Sequence, residues 1–372
     1  MEKHLHNQTI TDLFRLIRFA LGGKAPSEAE LSGMDREQIL ALAEKHSLGA
    51  LTAYALENLG MSSEETVMLE AAAIRRDILF EAEKSTVLER LTEAGIWHMP
   101  LKGSVLKEYY PVSGLREMVD VDILFDPAFI PEVKAIMEDL GFETHRYGKG
   151  TVDEYYKEPF FNFEMHHGLF ASNVPHGLPE YFRNVKEKLR PSEGSPLLME
   201  FTPEDFYIYF IAHAFKHFSK KGTGLRNLTD TAVFRKHYGD SLDEAYIAAE
   251  LEKIECTWFE SVLRMLTDKL LGEEDEPLTP EEEDCLLFMA SSGTYGSYQS
   301  LVNRAIGEKG KLQRVRQQLV LPMSTVKDWY PFFYKHKVLL PLLPAWRFVR
   351  GLSRSPQRIK TEMKQLLSRR KG

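Results

Sequence analysis

The sequence predicts an α+β fold, in which a small mixed sheet is flanked by helical regions before and after it. Three observations carry this prediction. Apolar residues recur at helical spacing over residues 1–82 and again from Thr202 onward. Just after Gly95 the pattern changes to short apolar and alternating runs of strand type. Within that middle stretch the order is strand, helix, strand, helix, then consecutive strands, which describes one α/β unit. The expected division is a helical region over 1–82, an α/β core over 83–195, a helical domain over 196–350 and a basic amphipathic tail over 351–372.

Taken in order, Leu13, Leu16, Ile17 and Leu21, then Ile39, Leu42, Ala43 and Leu48, mark amphipathic helices. Gly22-Gly23, Pro26-Ser27 and Met61-Ser62-Ser63 interrupt them. A long helix is expected over 65–94. Residues 96–101 are short and apolar, which suits a buried strand, and 105–109 read as helical. Residues 119–125 alternate and are β-branched, so they read as a second strand. An amphipathic helix over 131–140 is stopped by Gly141. Strands follow over 142–147, 152–157 and 160–169. Thr202 is a plausible helix cap with acids in the first turn behind it, and helices are expected over 203–219, 224–237, 242–271 and 280–290. Pro322, Pro331, Pro341 and Pro344 cut the C-terminal region into short pieces.

Composition narrows the function classes. The chain has 372 residues, 43% of them hydrophobic, which is ordinary for a globular protein. No run approaches the roughly 18 apolar residues that a membrane span needs. The first residues are polar and carry no apolar signal segment. Two cysteines, Cys256 and Cys285, make neither a disulfide framework nor a metal cluster, and a reducing cytoplasm is the expected location. Net charge is −8, yet residues 304–372 hold 17 lysines and arginines against 3 acids. That asymmetry leaves nucleic acid, a phosphorylated substrate or an anionic membrane open as partners, beside docking of the tail on the protein's own acidic body.

The chemistry centres on Asp120-Val121-Asp122, downstream of Leu101-Lys102-Gly103-Ser104. A strand puts alternate side chains on one face, so Asp120 and Asp122 point together while Val121 and Ile123 point into the core. Two adjacent carboxylates repel unless a cation lies between them, and Mg²⁺ suits oxygen ligands shared with phosphates. A Gly-Ser turn lets backbone N–H groups approach a phosphate, because glycine has no Cβ. In residues 160–166 Phe161, Phe163 and Met165 share one face, and Asn162, Glu164 and His166 share the other. If this strand neighbours the Asp strand, Glu164 joins the acids as a metal ligand that also helps take a proton from an attacking hydroxyl.

These residues resemble a known family. Leu101-Lys102-Gly103-Ser104, Tyr109-Tyr110, Arg116 and Asp120-Val121-Asp122-Ile123-Leu124 look like the bacterial nucleotidyltransferase family of uncharacterised members, within the DNA polymerase β-like superfamily. Phe163-Glu164-Met165-His166 is similar to its Glu-x-His strand. His213 to His217 and Leu225 to Asp230 are similar to its downstream helical signature. The resemblance extends from about residue 35 to 350, and the spacer before Asp120 is a few residues longer than in many superfamily members. It implies a nucleotidyltransferase-type sheet and a two-metal site. Asp120, Asp122 and Glu164 would hold Mg²⁺, Gly103 and Ser104 would cradle phosphates, and Lys102 or Arg116 would supply positive charge. His166 is a further candidate for orienting a metal ligand or an acceptor, and Arg226 for touching phosphate. The implied reaction moves an NMP group from an NTP, with ATP as the default donor, to a hydroxyl of a small-molecule, peptide or protein acceptor, releasing pyrophosphate.

Plainer roles stand beside these. His213 and His217, four apart on a helix, have a spacing that can bind Zn²⁺, but the glutamate of a His-Glu-x-x-His motif is absent, so structure or substrate contact is expected. Arg226 and Asp230, also four apart, are candidates for a simple ion pair. The aromatic run 329–334 is expected to be core. Two rival functions remain: a catalytically silent scaffold of the same fold, against which the retention of all three acids argues, and an RNA-modifying nucleotidyltransferase whose basic tail grips phosphates.

Overall fold

The computed structural model describes residues 2–292 except 175–176, 221–222 and 274–275, together with 334–337, 340, 343 and 346. The basic tail, the C-terminal prolines and all of the aromatic run except Tyr334 lie outside the described residues.

Five helices come first: α1 (Glu2–Ala20), α2 (Glu28–Gly33), α3 (Arg36–Lys45), α4 (Gly49–Asn58) and α5 (Glu64–Glu93). Three of these starts have a capping side chain. Ser27 and Glu30 form a reciprocal capping box at α2, Asp35 caps α3 and Ser63 caps α5. Helix α5 runs straight through residue 82, where the sequence pattern puts the start of the core.

Next come β1 (His98–Pro100), the short α6 (Gly103–Leu106), β2 (Val121–Phe125) and α7 (Ile130–Asp139). They are followed by β3 (Glu143–Arg146), β4 (Val152–Lys157), β5 (Phe161–His166), α8 (Leu178–Tyr181), β6 (Leu189–Ser192) and β7 (Ser195–Phe201). The helices α9 (Pro203–Lys220), α10 (Arg226–Tyr238), α11 (Glu244–Lys253), α12 (Thr257–Leu271) and α13 (Pro280–Ser292) complete the described chain. Thr202 does cap α9, its hydroxyl accepting from the Asp205 N–H at 3.1 Å.

The strands form one seven-stranded sheet in the order β3-β4-β5-β2-β1-β7-β6. It is mixed: β2 runs parallel to β5 and β1 parallel to β7, while the other pairs are antiparallel. Val121, Ile123, Phe125, Phe163 and Met165 pack on one face against Phe80, Val87 and Leu91 of α5 and Val133 and Met137 of α7. Met99, Leu101 and Leu124 belong to a second, larger cluster that takes in α1, α3, α4 and α9 to α12. The sheet is thus sandwiched, and each fully buried leucine-sized side chain in these layers contributes roughly 1.5–3 kcal/mol. Acids on β2 and β5 can face only the side that the larger cluster leaves open.

Two elements differ from the sequence pattern. The helix expected over 242–271 is broken at Ile254–Cys256, where Glu255 adopts φ +55°, so α11 and α12 are two helices instead of one. The β6–β7 hairpin has no counterpart in the expected strands. Pro191 and Pro196 disguise it, and Gly194 at φ +81° makes its turn. The sheet therefore extends to Phe201, into residues assigned by pattern to the helical C-terminal domain.

Candidate active site

The parallel pairing of β2 with β5 sets Val121 opposite Phe163, Asp122 opposite Glu164 and Leu124 opposite His166. Because side chains alternate, the acids share one face and the apolar partners the other. Ligand atoms of Asp122, Glu164 and His166 come within 4.8 Å of one another. Asp122 Oδ1 accepts hydrogen bonds from His166 Nε2 at 2.7 Å and from Lys102 Nζ at 2.5 Å. His166 Nε2 lies 3.6 Å from Glu164 Oε2. Asp120 stands one residue before β2 begins and lines the same cavity, outside that group of three.

The electrostatics follow from this crowding. Burial, reinforced by the charge of Asp122, pushes the Asp120 carboxyl up to about 6, with Lys102 working against it. Asp122 shifts the other way: burial disfavours its charge, but Lys102 and His166 hold the carboxyl well below its usual range. Burial by itself would lower the Lys102 ammonium, yet Asp122, Tyr209, Glu164 and Asp120 raise it above its ordinary value.

Lys102 reaches the acids through an unusual backbone. Its φ of +47° is in a region that costs a non-glycine residue on the order of 1–3 kcal/mol. The conformation is held because the Leu101 N–H bonds the Asp122 carbonyl at 2.9 Å and the Leu106 N–H bonds the Lys102 carbonyl at 3.0 Å. Gly103 follows because nothing larger fits: a Cβ there would lie 2.4 Å from Arg116 Nη1 and 2.6 Å from Met118 Sδ. Ser104 is buried, and its Oγ has no hydrogen-bond partner in the protein.

Arg116 is engaged by Asp230, its Nε donating to Oδ1 at 2.8 Å and its Nη2 to Oδ2 at 2.9 Å. Tyr110 Oη donates to the same Oδ1 at 2.8 Å. The Arg226–Asp230 pair suggested by helical spacing is therefore not made; Arg226 Nη1 instead donates to the Glu117 carbonyl at 2.8 Å. Tertiary partners from the 110–117 segment reach Asp230 with better geometry than a helical neighbour does.

All the candidate residues, Lys102, Gly103, Ser104, Arg116, Asp120, Asp122, Glu164, His166 and Arg226, line one cavity of about 540 Å³. Its far wall is α9 and α10, which present Tyr209, His213, Lys216, His217 and Asn227. His213 and His217 approach with Nε2 atoms 3.2 Å apart. Burial, with Lys216 and Lys102 adding to it, holds the His213 imidazole well below its ordinary value, so it is neutral near pH 7. Sequence reasoning missed Glu154, which β4 sets opposite Glu164 and which Arg146 pairs at 2.9 Å. The alternation of residues 152–157 carries that signal, but only the strand order brings it to the acids.

A family model described as uncharacterised nucleotidyltransferase matches residues 32–272, more than half of the chain. The chain belongs to the uncharacterised nucleotidyltransferase family. No curated protein and no solved structure matches it. The matched span of this nucleotidyltransferase includes the whole sheet, both cavity walls and every candidate residue named above. The protein is accordingly an enzyme of nucleotidyl transfer. Among its described residues no helix is long and apolar enough to cross a membrane.

The strain on Asp120 has a measurable consequence for the nucleotidyltransferase. Its carboxyl titrates near 3.9 in an unfolded chain and at about 6 when folded, so the folded form binds the proton more tightly. Stability then falls as pH rises between roughly 4 and 6, and the ionised carboxylate imposes its full cost above that window. Asp120→Asn removes the cost. Without divalent ions at pH 7.5 it should stabilise the protein by roughly 1–2 kcal/mol, allowing for the partial exposure of the site. Melting curves at pH 7.5 and pH 4 check this; a variant that melts below wild type at pH 7.5 contradicts it.

Proposed function

We propose that the protein is a metal-dependent nucleotidyltransferase that moves an NMP group from an NTP, with ATP as the default donor, to a hydroxyl-type acceptor and releases pyrophosphate. The observation that carries this reading is the register of Asp122 with Glu164 across the β2–β5 pair, with Asp120 beside them, in a cavity whose other wall carries Lys216 and Arg226. Three carboxylates gathered around a single lysine ammonium suit a divalent cation better than they suit one another. Ser104 Oγ, buried without a partner at the cavity wall, suits a phosphate oxygen.

Asp120, Asp122 and Glu164 would hold Mg²⁺, two ions when fully loaded, which when bound neutralises phosphate charge and favours ionisation of the attacking hydroxyl. The chain's own groups do the rest. The missing Cβ of Gly103 makes room for Arg116 and Met118 against the turn, and the Ser104 hydroxyl donates to a phosphate oxygen. Lys102, Lys216 and Arg226 supply positive charge around the triphosphate. Arg116, locked on Asp230, packs against Gly103 and keeps the turn in place. Glu164 helps take the proton of the acceptor hydroxyl as its oxygen bonds to the α-phosphorus and the bond to the pyrophosphate oxygen breaks.

Calorimetric titration of each of the four NTPs, with and without Mg²⁺, tests the reading beside Asp122→Ala. At least one NTP is expected to bind only with Mg²⁺, and the variant is expected to lose that binding. A folded protein that binds no NTP, or binds one equally well in the variant, would sink the proposal.

A further inference from the structure

We infer that His166 is itself a metal ligand, which makes this a mixed oxygen–nitrogen site that favours a first-row transition ion such as Mn²⁺ over Mg²⁺. The inference rests on the metal-dependent reading above and specifies its metal. The atoms that converge within 4.8 Å are two carboxylates and an imidazole, those of Asp122, Glu164 and His166. Nε2 of His166 lies 2.7 Å from Asp122 Oδ1 and 3.6 Å from Glu164 Oε2. These separations bracket the edge of about 3.0 Å that an octahedron with bonds of about 2.1 Å requires.

The fold dictates which ring nitrogen is offered. His166 ends β5 on the same face as Glu164, with Nε2 aimed at the acids and Nδ1 buried without a hydrogen-bond partner. When Nε2 gives its lone pair to an ion, the proton it now shares with Asp122 has to move to Nδ1. Lys102 Nζ, now on Asp122 Oδ1, would have to give way to the ion. Oxygen-only sites suit Mg²⁺, whereas an imidazole adds affinity for Mn²⁺ and the later divalent ions. Glu154, paired with Arg146, is the neighbouring acid on β4 and adds an oxygen-rich flank to the nitrogen ligand.

Mn²⁺ added to the full chain without nucleotide is the probe, read by calorimetry and by pulsed electron paramagnetic resonance. Wild type is expected to bind Mn²⁺ about 10-fold or more tightly than Mg²⁺ and to show nitrogen-14 modulation from a coordinated imidazole. His166→Gln is expected to keep Mn²⁺ binding, to lose the modulation and to lose most of the Mn²⁺ preference. Asp122→Asn should lose the ion altogether. Bound Mn²⁺ without nitrogen modulation, or modulation that survives in His166→Gln, overturns the inference and leaves the all-carboxylate reading standing. Absence of Mn²⁺ and Mg²⁺ binding from folded wild type overturns both. Nitrogen-coordinated Mn²⁺ in a protein that binds no NTP overturns the transfer reading alone.

Discussion

Asp122→Asn is expected to lower nucleotidyl transfer by on the order of 10³-fold or more while leaving the protein folded. Asparagine keeps the shape of the side chain and removes the charge on which Lys102 and His166 converge. The site then has no carboxylate on β2 itself, and the remaining acids, Asp120 and Glu164, flank a neutral amide. Asp122 is 5% exposed, so solvent screens the missing charge very little. The measurement is transfer of label from α-³²P NTPs into an extract of the producing cells, with melting curves as the control for folding. Asp126→Asn, at the other end of β2, provides a comparison in which activity should survive, since that acid caps a turn through the Ala128 N–H. Retention of more than a tenth of wild-type transfer by folded Asp122→Asn would remove this acid from the chemistry.

Arg116→Met should cost about 3–5 kcal/mol of folding stability, the largest single effect expected outside the acids. Arg116 and Asp230 are 6% and 2% exposed, and both carboxylate oxygens of Asp230 are used by the guanidinium. Methionine fills much of the volume but leaves the buried Asp230 carboxyl with, among the described residues, Tyr110 Oη as its side-chain donor. A combined Arg116→Met, Asp230→Leu, Tyr110→Phe variant removes the stranded charge and the hydroxyl together and should recover most of the loss. Urea denaturation of the single and combined variants reads the difference. A single-variant cost below about 1 kcal/mol would mean that water or another cation reaches Asp230, and the pair would not anchor the 110–117 segment to α10.

Much of this architecture is legible in the residues. Strong periodicity locates α5 and α9 to within a residue or so, because thirty and eighteen residues of consistent amphipathic spacing outweigh local ambiguity. The two apolar faces of residues 121–125 and 161–166 are equally plain, and they assign Asp122, Glu164 and His166 to the polar side before any strand order is known. The β6–β7 hairpin is not legible, since two prolines and partial exposure erase its alternation. The break at Glu255 is also hidden, because a positive φ at a glutamate has no sequence signature.

What the sequence by itself determined is the chemistry on offer: acids at alternate positions, a Gly-Ser turn and a Glu-x-His strand, all properties of spacing along one chain. Tertiary structure alone decided how these are combined. Pairing of β2 with β5, forty residues apart and in parallel, is what sets Glu164 beside Asp122. The choice of Arg116 and Tyr110 over Arg226 as partners of Asp230 depends on contacts more than a hundred residues apart. Helical spacing can suggest a pair, but a buried carboxylate takes the donors that reach it with the best geometry, and those are set by packing.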